Sequence, residues 1–232
     1  MPMENQSISR ELIVCNLGLI DYKEAWDVQL KFHEKRRLNQ ISDLLFLCEH
    51  PNTYTLGKVA EKKNLLYNEE ELTEKGINVF EIDRGGDITY HGPGQIVGYA
   101  IINLENWKKD THLYLRALEE TLIETCKSFG IESGRNSAFT GVWIDNRKIC
   151  AIGIKVSRWI TMHGFAFNVN TDLELFDGII PCGIQDKKVT SLKAELNEEI
   201  DLLKTEKIIV EKFSNLFSYD NVYQKTINEI NK

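Results

Sequence analysis

The chain has 232 residues, 42% of them apolar and 27% charged, and carries a net charge of −7. That length suits one hydrophobic core, because cores stop growing near about 250 residues. The acidity excludes a general affinity for nucleic acid, which needs a surplus of lysine and arginine. No apolar run approaches the roughly 20 residues of a bilayer span. The opening MPMENQSISRELIV lacks the basic segment and long apolar core of a secretory signal. A cytosolic, single-domain protein over residues 1–232 is therefore the expectation. Residues 141–193 hold seven basic side chains against five acidic ones, so this region alone is positive.

In chain order, ELIVCNLG reads as a first strand, and Asp21 caps a helix running to about Leu38, with Tyr22, Ala25, Trp26, Gln29, Leu30 and His33 at helical spacing. DLLFLCEHP and TYTLG are strands, and NEEELTEKG is a short acidic helix stopped by Gly76. INVFEIDRGG delivers the chain as a strand into the glycine-rich stretch Arg84–Gln95, and IVGYAIINL leaves it as another. After Asp110, an amphipathic helix carries Leu115, Leu118, Leu122, Cys126 and Phe129 to Gly130. FTGVWIDNRKICAIGIKV forms two strands about an Asp145–Asn146 turn, and ITMHGFAFNVN adds one more. TDLELF is a short helix, Ser191 caps a turn, and a last helix covers about Thr205 to Phe217. Helices alternate with hairpin-like strand pairs, which favours a mixed or antiparallel sheet over a doubly wound parallel one.

RGGDITYHGPGQIVGYAIINL packs five glycines, Arg84 and His91 between apolar runs. Glycine lets backbone approach a ligand closely, yet neither phosphate-loop fingerprint is present, and a plain turn would read the same way. Five cysteines without paired short spacing disfavour both a disulfide framework and a zinc ribbon. Cys15, Cys48 and Cys150 lie in strand-like runs and Cys126 on a helix stripe, where free cysteine is core filler. Cys182 differs, because Pro181 and Gly183 present its thiol from a loop. A thiol attacks as thiolate and needs a neighbouring cation or base. Lys148 is one candidate, at the start of an apolar run. His91 and His163 are rivals, and Asn168 or Asn170 would complete a Cys/His/Asn set. Spacing alone does not choose among them, and it is too irregular to suggest a metal.

Three segments decide the question together. RGGDITYHGPGQIVGY, then GVWIDNRKICAIGIKVSRWITMHGFAFNVNTDLELFDGIIPCGI, then VTSL resemble the lipoyl(octanoyl) transferases of lipoate synthesis, over roughly Leu12 to Phe217. One departure is Ala100, which follows Tyr99 where many members have proline.

The resemblance implies an α/β fold of the α+β type, a mixed and largely antiparallel sheet flanked by helices, shared with biotin and lipoate protein ligases. It implies transfer of an octanoyl group from octanoyl-acyl carrier protein to a lysine of lipoyl domains, those of 2-oxoacid dehydrogenase complexes and the glycine cleavage H protein, by a cytoplasmic monomer. It assigns Cys182, of the PCG motif, as the acyl-bearing nucleophile and Lys148 as the residue that lowers its pKa. Substrate-binding positions fall on Arg84, Gly85, Gly86, Asp87, Ile88, Thr89, Tyr90 and His91, on Ala151, Ile152 and Gly153, and on Gly164, Phe165 and Ala166. Neither ATP nor metal is expected, because a thioester is already activated. A saturated eight-carbon chain needs apolar walls, and burying its seven methylene and methyl groups at about 0.8 kcal/mol each supplies several kcal/mol of binding. Two rival readings remain, an ATP-dependent ligase on the same fold and a non-catalytic module binding acyl carrier or lipoyl domain.

Overall fold

The computed structural model describes residues 9–180 and 188–231. Its main sheet runs in the order β12 (Asn221–Gln224), β1 (Glu11–Leu19), β2 (Asp43–Glu49), β6 (Gln95–Ile101), β10 (Ile160–Asn168), β9 (Arg147–Ser157), β8 (Val142–Ile144), β7 (Gly134–Arg135), with β11 (Lys188–Val189) also on β9. The β1–β12, β1–β2 and β9–β11 pairings are parallel. The other pairings are antiparallel, which is the mixed, largely antiparallel sheet expected from the sequence. A smaller sheet joins β4 (Asn78–Glu81), β3 (Thr53–Leu56) and β5 (Ile88–His91), with the short helix α2 (Glu69–Glu74) between β3 and β4 in the chain.

Both faces of the main sheet are covered, and this explains its continuous apolar strands. Along β2, Leu45 and Leu47 face one core with α3 (Thr111–Ser128) and α5 (Leu202–Leu216). Leu44, Phe46 and Cys48 face a second core beneath α1 (Tyr22–Arg37). Asp21 caps α1, accepting from the Lys23 and Glu24 amides, and Asp110 caps α3 in the same manner from His112 and Leu113. The buried stripe of α1 is Tyr22, Ala25, Gln29, Phe32 and Arg36, whereas Leu30 is 45% exposed. The stripe thus follows the helical period strictly, a few tens of degrees from where Leu30 and His33 would have centred it.

The structure revises other expectations. ITYH within the glycine-rich stretch is strand β5, whose registry with β3 places Tyr90 against Tyr54. TDLELF becomes a 3-10 turn, Glu174–Gly178, and the last long helix starts at Leu202 because Asp201 caps it. Beyond Phe217 the chain adds β12 and α6 (Ile227–Ile230), and Ile230 packs into the core under α1.

One buried carboxylate ties these parts together. Asp43 accepts from Arg36 Nε at 2.8 Å and the Asn103 amide at 2.9 Å through Oδ1, and from the Tyr219 hydroxyl at 2.8 Å and Arg10 Nη2 at 3.4 Å through Oδ2. His50 makes a second junction: Nδ1 donates to the Ile20 carbonyl and Nε2 accepts from the Tyr99 hydroxyl, each at 2.7 Å. Burial pushes its pKa down to about 4.

Asp43→Ala leaves Arg36 buried without its carboxylate, so unfolding in urea should show a loss of about 3–5 kcal/mol. His50 takes up its proton more readily unfolded than folded. Its stabilisation is therefore complete above about pH 6.5 and lost as pH falls toward its folded value. Melting temperature should drop through that window, and less steeply in His50→Gln.

Candidate active site

A cavity of about 270 Å³ lies between the main and small sheets, near the lower end of the size of small-molecule sites. Its floor follows from registry. Ala151 and Gly153 of β9 stand opposite Ala166 and Gly164 of β10, which stand opposite Val97 and Tyr99 of β6. Small residues side by side on two strands leave a trough. Tyr22 of α1, Phe176 and the 138–140 loop also line it.

Arg84, Gly86, Asp87, Ile88, Thr89 and His91 line the cavity from the other side, and Lys148, Ile152 and Phe165 of the main sheet line it as well. Gly85 and Tyr90 do not. The Gly85 amide donates to the Ile154 carbonyl at 3.0 Å, fastening the loop to β9. The Tyr90 hydroxyl donates to Asn52 at 2.9 Å, and its ring packs against Tyr54 and Phe176. The glycines here mainly let backbone meet backbone. A Cβ on Gly153 would lie 2.7 Å from the Gly85 carbonyl oxygen, and one on Gly57 would lie 2.2 Å from that of Gly86. Arg84 crosses this junction and donates to the Thr55 carbonyl at 2.7 Å and to its hydroxyl at 2.9 Å.

The two histidines differ from free bases. Gln95 donates its amide to Asn168 Oδ1 at 2.9 Å and to the Tyr90 carbonyl, so its oxygen accepts from His91 Nδ1. His91 Nε2 then accepts from the Thr55 hydroxyl at 3.2 Å. Both ring nitrogens are occupied, and burial, with His50 and Arg84 nearby, drives its pKa well below the usual range. His163 sits at φ +60°, in left-handed backbone, and donates from Nε2 to Asp83 at 2.9 Å. Burial lowers its pKa to about 4. Asn168 continues the chain of hydrogen bonds to the Thr190 carbonyl at 2.9 Å, and the Thr190 amide donates to the Lys148 carbonyl at 3.0 Å. Asn170 instead clamps Ile200 through both its amide groups.

Lys148 owes its place to an irregularity. Val142 pairs with Cys150 but Trp143 pairs with Lys148, so β9 holds an extra residue, Ile149, at a bulge. Ile149 and Cys150 both enter the α3 core, and Lys148 emerges on the face of Ala151 and Gly153. Strict alternation would have put it with Cys150. Cys182 lies outside the described residues, as do Pro181 and Gly183. On one side of that segment the Ile180 amide donates to the Asn64 carbonyl at 2.8 Å, and Asn64 in turn holds Asp87 at 2.7 Å. On the other side Val189 lines the cavity and pairs with Lys148.

The remaining thiols are buried. Desolvation, with Glu229 nearby, pushes Cys15 up to about 11; burial raises Cys126 to about 11, and it also drives up Cys48 and Cys150. Among the described residues no group of three or more His, Cys, Asp or Glu is placed to hold a metal ion. No helix there is long and apolar enough to cross a membrane. Sequence reasoning missed Tyr22, Val97, Tyr99, Phe176 and the 138–140 loop, which reach the cavity through tertiary contacts that no local pattern marks.

The chain is 48% identical to the octanoyltransferase of Christiangramia forsetii, across 94% of this chain and 100% of that protein. It is 52% identical to the octanoyltransferase of Rubrobacter xylanophilus, across 84% and 89%. Its fold superimposes on a lipoate-protein ligase A bound with ATP with a TM-score of 0.74, covering 95% of this chain and 90% of that one, at 13% identity. At that identity the likeness speaks for the fold alone. Residues 21–214 match the family described as the lipoyl protein ligase A/B catalytic domain, and the chain belongs to that family.

Proposed function

We propose that this protein transfers an octanoyl group from octanoyl-acyl carrier protein to a lysine of a lipoyl domain, through a thioester on Cys182. Octanoyl transfer is supported by end-to-end similarity to octanoyltransferases. The observation that carries the mechanism is Lys148, turned by the β9 bulge onto an apolar trough and paired with the strand that follows Cys182.

Lys148 accepts the thiol proton, and the resulting thiolate attacks the carrier's thioester carbonyl. The tetrahedral intermediate collapses with loss of the pantetheine thiolate, which takes the proton from the Lys148 ammonium. The acceptor lysine then attacks the acyl-Cys182 carbonyl, passes a proton to neutral Lys148, and the Cys182 thiolate departs. No step needs ATP or metal, because the donor thioester already supplies the activation. Raised pKa values make the other thiols poor nucleophiles, and this supports Cys182. The trough's small floor residues and apolar sides suit a saturated chain.

Intact-mass measurement after mixing with octanoyl carrier should show one added octanoyl group, without ATP, and none in Cys182→Ala. Full loading of that variant, or a requirement for ATP, would falsify the thioester route. Lys148→Ala should lower kcat/KM for transfer by about 10²–10⁴-fold. It should also slow alkylation of Cys182 at neutral pH; an unchanged alkylation profile would remove the lysine from the activating role.

A further inference from the structure

We infer that Trp143 is a positioning residue for Lys148, holding its ammonium against the ring face and favouring the protonated amine. Lys148 Nζ stands 4.8 Å from the centroid of the Trp143 ring. The two residues are direct cross-strand partners, brought opposite each other by the same bulge that turns Lys148 toward the cavity. The ring is itself fixed, because Trp143 is 4% exposed, its Nε1 donates to the Phe139 carbonyl at 3.2 Å, and it packs on the Phe139 ring at 6.2 Å. Phe139 lines the cavity, so the indole reaches the site through the Lys148 amine and through the 138–140 loop.

A cation over an indole face is attracted to the negative centre of the ring, most strongly where water is scarce. The neutral amine gains much less from that field, so the contact raises proton affinity and fixes the direction of Nζ together. Among the described residues, the charged and titratable groups on the elements about Lys148 include Glu119 of α3, Arg135 of β7, Asp145 and Arg147 at the β8–β9 turn, Cys150 of β9, Lys188 of β11 and Glu195 of α4 (Leu192–Leu196), and Tyr22, Arg84, Asp87, His91, Tyr99 and His163 line the cavity. Glu119 accepts from Arg116, Arg135 and the Gly141 amide, and Glu195 accepts from Arg147 and Thr190. Both carboxylates are thus engaged by arginine, and the indole face meets the ammonium.

The consequence for transfer rests on the reading of Lys148 as the amine that serves Cys182. The test is therefore made on the lysine itself. Lysine amines are labelled by reductive ¹³C-methylation, the Lys148 resonance is assigned by its loss in Lys148→Arg, and its titration is followed by NMR in the full chain. Trp143→Leu keeps apolar bulk and removes the π face, and should lower the proton-binding constant of Lys148 roughly three- to thirtyfold. Trp143→Phe, with a weaker face, should fall between. Increasingly fluorinated tryptophan, which drains the ring without enlarging it much, should give a graded decrease even where the leucine variant does not fold. The same Lys148 titration in wild type, Trp143→Phe and fluorinated protein would overturn the inference. A shifted titration with an unmoved alkaline limb of transfer would uphold it, and would count instead against Lys148 acting in transfer.

Discussion

The bulge in β9 sets the polarity of this site. Were Ile149 an ordinary member of a regular strand, the alternation that carries Ala151 and Gly153 to the cavity would send Lys148 down among the side chains of α3. An ammonium there would lose its hydration to an apolar core, at a cost of several kcal/mol. The bulge lets the strand keep its core residues, Ile149 and Cys150, while delivering an amine to the opposite face. Trp143, the 138–140 loop and β11 are then arranged around that amine.

The cavity depends equally on the close seating of two sheets. Gly153 lets the Arg84–Asp87 turn approach β9, Gly57 lets it approach the end of β3, and Arg84 bonds across the junction to Thr55. From Thr55 a run of hydrogen bonds passes through His91, Gln95 and Asn168 to Thr190 beside Lys148. Each donor in it has a defined acceptor, so this wall of the trough, which runs to the strand pairing beside the amine, is stiff. His91 is thereby a structural member of the wall, even though its position in a glycine-rich loop reads like that of a catalytic base.

Much of the architecture was legible because it rests on local chemistry. Asp21 and Asp110 mark helix starts, Ser191 marks a cap whose turn the structure extends into α4, and the hairpin at Asp145–Asn146 announces antiparallel pairing. Strand β5 was hidden because only five residues lie between its flanking glycines, Gly86 and Gly92, which read as a loop, and its stability comes from β3 across the small sheet. The motif segments supply much of the trough's lining, since Ala151, Gly153, Gly164 and Ala166 form its floor. Tyr22 and Tyr99 escaped notice because helix and strand periodicity explain them fully as core. The bulge was likewise invisible: RKICAIGIKV reads as an unbroken strand, and only its partner's registry reveals the added residue.

Strand β1 pairs on one side with β2 and on the other with β12, which comes from the far end of the chain. During synthesis at about 5–20 residues per second, some 200 residues must follow β1 before that second neighbour leaves the ribosome, roughly 10–40 s. Throughout that interval a nascent chain carries an apolar strand with unmet amide and carbonyl groups along one border, open to whatever other strand is near. Asp43, whose carboxylate awaits Tyr219, stays incomplete for as long. The tail of the polypeptide therefore serves as the final clasp, and a chain released early would be an aggregation hazard as well as a truncated enzyme.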